Sequence, residues 1–149
     1  MPSGTVPILL HDGITIMESL AILEYLAERF PERGLWPAEP AARARARMLA
    51  AEMHAGFGPL RSHLPMNMRR HYRGYPVPEE ARRDIDLLAR RWDTCRQEHG
   101  QAGPFLFGAF TIADCMFAPV VSRLATYDVK LDGSAGTGQI DNCAGAGPW

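Results

Sequence analysis

The residue types and spacings that could do chemistry are concentrated between Thr5 and Ala21, in the run TVPILLHDGITIMESLA. Val6-Pro7 heads a short strand. Pro7 removes a backbone donor, so that strand belongs at an edge or turns a carbonyl and an amide outward. If the Val6-Pro7 bond is cis, the exposed Val6 backbone can pair with an extended ligand as an added strand would. Glu18-Ser19 opens a helix whose free N–H groups and positive dipole end favour a carboxylate. A strand edge beside a helix start presents backbone groups to a small peptide. Serine at a helix start is common for capping alone; the upstream Val-Pro and Asp-Gly are what point to a ligand here.

Other candidates point elsewhere. Arg69-Arg70-His71-Tyr72-Arg73 is a basic run with an aromatic inside it, but nucleic-acid binding needs more surface than five residues, and such runs are usually solvated loops. His11, His54, His63, His71 and His99 show no close pair with a carboxylate at ligand spacing, so no metal site is expected. Cys95, Cys115 and Cys143 lie far apart without a CxxC, which fits a reducing cytosol. Cys115 falls at an expected buried position without a neighbouring base and reads as an inert core thiol. Thr111 can cap a helix with its hydroxyl while Asp114 reaches back three residues later, and Phe110 can pack on Cys115 as a hydrophobic staple. Asp114 is therefore structural, not a catalytic acid.

The elements that must position these groups follow from periodicity and breakers. Ile8-Leu9-Leu10 and Ile14-Thr15-Ile16 flank His11-Asp12-Gly13, a hairpin with an Asp-Gly turn. A helix from about Ser19 to Arg29 carries Leu20, Leu23, Ala27 and Phe30 on one face, and Pro31 closes it. Pro31 to Pro40 is a linker, with Trp36 tacking it to the body. Pro40 suits the first position of a long helix, whose stripe Leu49, Met53, Phe57, Leu60 and Leu64 bends where Gly56, Gly58 and Pro59 interrupt it. A further helix from Pro78 to about His99 buries Ile85, Leu88, Trp92 and Cys95 and stops at Gly100.

Composition bounds little beyond this. The 149 residues and 46% hydrophobic content suffice for one real core. A net charge of −1 gives no field to gather nucleic acid or an acidic membrane surface. No stretch is apolar enough to span a bilayer.

The order VP, DG, ESLAILEYLAERFP and LWP resembles the second half of the thioredoxin-like domain of cytosolic glutathione transferases. AEMHAGFGPLR (Ala51 to Arg61) and FTIADCMFAP (Phe110 to Pro119) are similar to the helical domain of bacterial members, and the resemblance runs from about Pro2 to Val129. It implies a mainly α fold: a glutathione-transferase-like helical domain (34–129) after the β-hairpin and helix that form the second half of a thioredoxin-like α/β domain (1–33). It implies glutathione as cosubstrate, with Val6, the residue before Pro7, bonding its cysteinyl backbone at a glutathione-binding Val6-Pro7 pair and Glu18 and Ser19 holding its γ-glutamyl group. It also places Met53, His54, Phe57 and Arg61 on the helix face that overlooks the electrophile pocket, although Met53 and Phe57 read more readily as plain core and His54 and Arg61 equally as solvated or interfacial residues. The Thr-x-x-Asp box at Thr111 and Asp114 is a structural device in that family too.

The expected function is conjugation of the glutathione thiolate to a small hydrophobic electrophile, or a related addition or isomerisation, of a detoxifying kind, in a cytoplasmic homodimer. The family's thiol-activating Tyr, Ser or Cys belongs to an opening strand–helix–strand that does not match here, so no catalytic residue is assigned and the chain is expected to be truncated at its start. The Gly-rich run DGSAGTGQIDNCAGAGPW lacks apolar periodicity, and 130–149 is expected to be an aberrant, disordered tail. The alternative is a non-catalytic binding or assembly module, or an inactive fragment.

Overall fold

Asp12 and Gly13 both adopt positive φ, 47° and 78°, the backbone that lets a two-residue loop match the twist of the strands it joins. They connect β1 (Ile8–His11) to β2 (Ile14–Met17) in an antiparallel pair, with Ile8 opposite Met17 and His11 opposite Ile14. The Val6-Pro7 bond just before β1 is cis. In this computed structural model the described residues are residue 4 and residues 6–131.

Helix α1 (Ser19–Arg29) follows, and Leu20, Leu23 and Ala27 pack half-buried against the main core. Phe30, expected on the same face, is 39% exposed. It lies past the last helical residue, where the chain leaves helical geometry (φ −129°, ψ 62°) and Pro31 begins a 3-10 turn. Trp36 does tack the linker down. It is 7% exposed, its indole N–H donates to Glu24 at 3.0 Å, and Arg47 lies over its ring.

Pro40 is the first residue of α2 (Pro40–Ala55), where a missing N–H costs nothing. Ahead of it, the Glu39 carboxylate accepts from the N–H groups of Ala41 and Ala42 at 2.9 and 2.6 Å. These bonds hold the Glu39 carboxyl below its usual range. The expected bend is in fact a break. Helix α2 stops at Ala55, Phe57 takes a left-handed conformation (φ 57°), and a separate short helix α3 (Gly58–His63) begins. The apolar stripe survives the break, with Leu49, Met53, Phe57, Leu60 and Leu64 all buried.

Helix α4 (Glu79–His99) buries Ile85, Leu88, Trp92 and Cys95, and Gly100 ends it. Arg96 donates to the carbonyls of Gly103 and Phe105, clamping the loop that leads to α5 (Ile112–Thr126). Core residues of α2, α3, α4 and α5 form one cluster, with Trp92 meeting Phe117 edge-on at 5.4 Å. Leu131, inside the span expected to be a tail, joins this cluster at 6% exposure. The rest of that tail, 132–149, lies outside the described residues.

Candidate functional site

Two of the sequence candidates serve the frame of the site. Asp114 is fully buried: one carboxylate oxygen accepts from the Thr111 N–H and hydroxyl at 2.8 and 2.9 Å, the other from the Leu106 N–H at 3.1 Å. The capping box fixes the start of α5, hence the aim of everything that helix carries. The staple is not formed as expected. Phe110 is 48% exposed and packs edge-to-face on Phe105 at 5.1 Å, because the preceding Phe105–Gly108 turn supplies a nearer aromatic partner.

An open cleft of about 530 Å³ separates the Val6-Pro7 segment and the start of α1 from α2, α3 and α5. Val6, Pro7 and Ser19 line one wall. Opposite them stand Met53, His54 and Arg61, so residues nearly fifty positions apart in sequence line one cleft. Phe57 does not line the cleft; its left-handed backbone turns it into the core at 7% exposure. Glu18 sits at the cleft's edge, where its carboxylate lies 3.3 Å from His54 Nε2. Its own φ is 84°, and its side chain does not cap α1.

Helix α5 adds groups that the sequence reading passed over. Met116, Pro119 and Arg123 recur at helical spacing on one stripe and line the cleft with Cys115 and Met66. That spacing was readable; what hid it was reading α5 only for its cap. Cys115 is half-buried on the cleft wall, not sealed in the core. Burial, then the Asp114 charge, pushes its thiol up, so it stays protonated at neutral pH.

Arg123 and Arg61 make the far wall cationic. Arg123 donates to the carbonyls of Leu64 and Arg61 at 2.6 and 3.2 Å, and Arg61 to that of His54 at 3.3 Å. Burial, then the Arg61 charge, holds Arg123 below the usual guanidinium range. Among the described residues neither arginine has a carboxylate within ion-pair distance, and no acidic residue lines the cleft.

The histidines do find carboxylates: His11 lies 3.7 Å from its neighbour Asp12 and His99 3.7 Å from its neighbour Glu98, and two more pairs form across the fold. His54 meets Glu18, and His63 meets Glu80 on α4. Sequence separation hid both pairs. Among the described residues no group of three or more His, Cys, Asp or Glu could hold a metal ion. In the basic run the arginines are exposed, while Tyr72 stacks on Tyr127 at 5.1 Å and its N–H donates to Thr126 O at 2.7 Å.

Residues 1–34 match the glutathione S-transferase N-terminal domain, and residues 40–140 its C-terminal domain. The chain belongs to the glutathione S-transferase family. Family relatives include a stringent starvation protein A homolog of Coxiella burnetii, 32% identical over 87% of this chain and 58% of its own. A maleylacetoacetate isomerase of Rhizobium meliloti is 34% identical over 97% of this chain and 70% of its own. The crystal structure of a glutathione transferase homolog from Burkholderia GL BGR1 with bound glutathione superposes with a TM-score of 0.67 at 28% identity, covering 97% of this chain and 68% of that one. The chain thus spans about 58% of the length of the first of these curated relatives. Among the described residues no helix is long and apolar enough to cross a membrane.

Proposed function

We propose that this chain carries the glutathione-gripping edge and most of the second-substrate wall of a glutathione transferase, and that the complete protein joins the glutathione thiol to an electrophile or uses it to isomerise one. One observation carries the reading: Val6, Pro7 and Ser19 share a cleft with Met53, His54 and Arg61. The Val6 backbone pairs with the cysteinyl residue of glutathione. The uncapped start of α1 takes the γ-glutamyl carboxylate, and Glu18 and Ser19 complete that end. The glutathione bound to the Burkholderia homolog supports this choice of ligand. The division of labour follows residues 1–33 and 34–129, with a homodimer and a cytoplasmic location as its corollaries.

The second substrate has an apolar body and a negative charge. Met53, Met66 and Met116 supply a soft apolar surface, and among the described residues Arg61 and Arg123 have no carboxylate within ion-pair distance. The name of the Rhizobium meliloti relative, an isomerase of an organic acid, is consistent with that charge. Thiol activation is not assigned to any described residue, since Cys115 is held protonated. The competing reading, a non-catalytic binding module, rests on that same point.

Calorimetric titration of the purified chain with glutathione tests the proposal. Binding that Glu18→Ala with Ser19→Ala weakens at least ~10-fold, about 1.4 kcal/mol, is the expected result. Unchanged affinity in that double variant removes the assignment. Turnover of an aromatic electrophile by the chain would decide against the binding-module reading.

A further inference from the structure

Glu18 is unusual in three respects that belong together. It occupies the cap position of α1 in a left-handed backbone region (φ 84°, ψ 123°), which a β-carbon disfavours. A glutamate at that position would normally turn its carboxylate onto the free N–H groups of its own helix, yet this one makes no such bond. Its carboxylate lies instead 3.3 Å from Nε2 of His54, which comes from the last turn of α2, 36 positions away in sequence and across the mouth of the cleft.

We propose that His54 is a positioning residue for Glu18: it draws the carboxylate off the start of α1 and holds it where it accepts the ligand's α-ammonium. The inference rests on the proposed glutathione site and assigns a task there to a residue of the helical part of the chain. Two consequences arise from one contact. The helix N–H groups stay open for the γ-glutamyl carboxylate, which an internal carboxylate would otherwise contest. The Glu18 charge is fixed in place, so the ammonium meets an oriented acceptor and not a mobile one.

Both side chains keep substantial exposure, 41% for His54 and 63% for Glu18, and ion pairs of that kind add little to folding stability. The effect therefore belongs in ligand discrimination and not in the unfolding midpoint. That is what separates a positioning role from a structural one. His54 is itself held at its backbone, where its carbonyl accepts from Arg61 at 3.3 Å, so its side chain is free to serve Glu18.

The experiment is calorimetric titration of the full chain with glutathione and with N-acetylglutathione, in which the ammonium is replaced by a neutral amide. Wild type should prefer glutathione by ~10-fold. His54→Leu should reduce that preference to ~2-fold, and Glu18→Gln should reduce it as far. Adding His54→Leu to Glu18→Gln should change nothing more, because the carboxylate it positions is gone. His54→Gln, whose amide N–H can still reach Glu18, should restore most of the preference.

Equal weakening of both ligands by His54→Leu, or additive effects in the double variant, would overturn the inference while leaving the glutathione site standing. Absence of glutathione binding by wild type would overturn both. Circular dichroism melts within about a degree of wild type are expected for all variants, as for other exposed substitutions.

Discussion

Asp114 answers three donors from a fully buried position, and none of the three has water to fall back on. Asp114→Ala is therefore expected to cost ~3 kcal/mol in urea unfolding, since each orphaned buried donor carries a penalty of its own. A loss below ~0.5 kcal/mol would mean that the donors find other partners. The two described cysteines should differ in their chemistry. Burial, aided by the Asp114 charge, pushes Cys95 up to about 12 from 9.0. The folded state then holds this proton more tightly than the unfolded one. The contribution is fully present below pH 9.0 and is lost as the pH rises towards 12. Urea titrations of wild type and Cys95→Ala should run parallel up to that window and converge within it. With a thiol-specific reagent, half-buried Cys115 should react slowly at neutral pH and faster as the pH rises, and fully buried Cys95 should wait for unfolding.

At the scale of elements, the start of α2 and the loop before α5 carry separate vulnerabilities. Glu39 holds two N–H groups of α2 through a carboxylate whose pKa is lowered from 4.5, chiefly by the Ala41 bond and then the Ala42 bond. A lowered carboxyl stabilises the fold above 4.5 and loses that contribution as the pH falls through its folded value. Glu39→Gln should accordingly lower the thermal midpoint at neutral pH and flatten the acid side of the stability profile, read by melts over a pH series. Gly103 has another role. A β-carbon there would stand 2.4 Å from the Gly108 carbonyl oxygen, a backbone atom that cannot swing away. Gly103→Ala should cost ~2 kcal/mol, and the loop held by Arg96 should become the first site of proteolysis. Cleavage elsewhere would show that the clamp is not the weak point.

For the whole molecule, the exposed apolar surface is unevenly distributed. Leu10 is 73% exposed and Ile14 49% on the two-stranded hairpin, and Val6 just ahead of it is 86% exposed, each above the most exposed large apolar residues of the helical part, Met68 and Phe110 at 48%, or level with them. Among the described residues the sheet has only these two strands, and a strand pair with open edges and an apolar flank invites association. Light scattering should find the chain larger than a monomer. Leu10→Glu with Ile14→Lys should return it towards one chain while changing unfolding free energy by no more than ~0.5 kcal/mol, as expected for exposed positions. Unchanged association would locate the contact on the helices.

The sequence by itself determined several element ends, because those depend on neighbours in the chain. Asp12-Gly13 sets the hairpin loop, Pro40 the start of α2, Gly100 the end of α4, and Thr111 with Asp114 the capping box. The apolar stripe from Leu49 to Leu64 was equally legible, since helical period and burial are local facts of pattern. Backbone angles at a single residue were less so. Nothing in the letters required Phe57 to turn left-handed and break the helix, a change that moved its ring from the cleft into the core. Partnerships across the chain were decided by the tertiary structure alone. Glu18 and His54 meet because Trp36 packs the linker and lays α1 against α2, and Arg123 reaches the carbonyls of Leu64 and Arg61 because α5 passes beside α3. Distance in space is set by how the elements pack, and a periodicity that shows which face of a helix is buried does not reveal what lies opposite it.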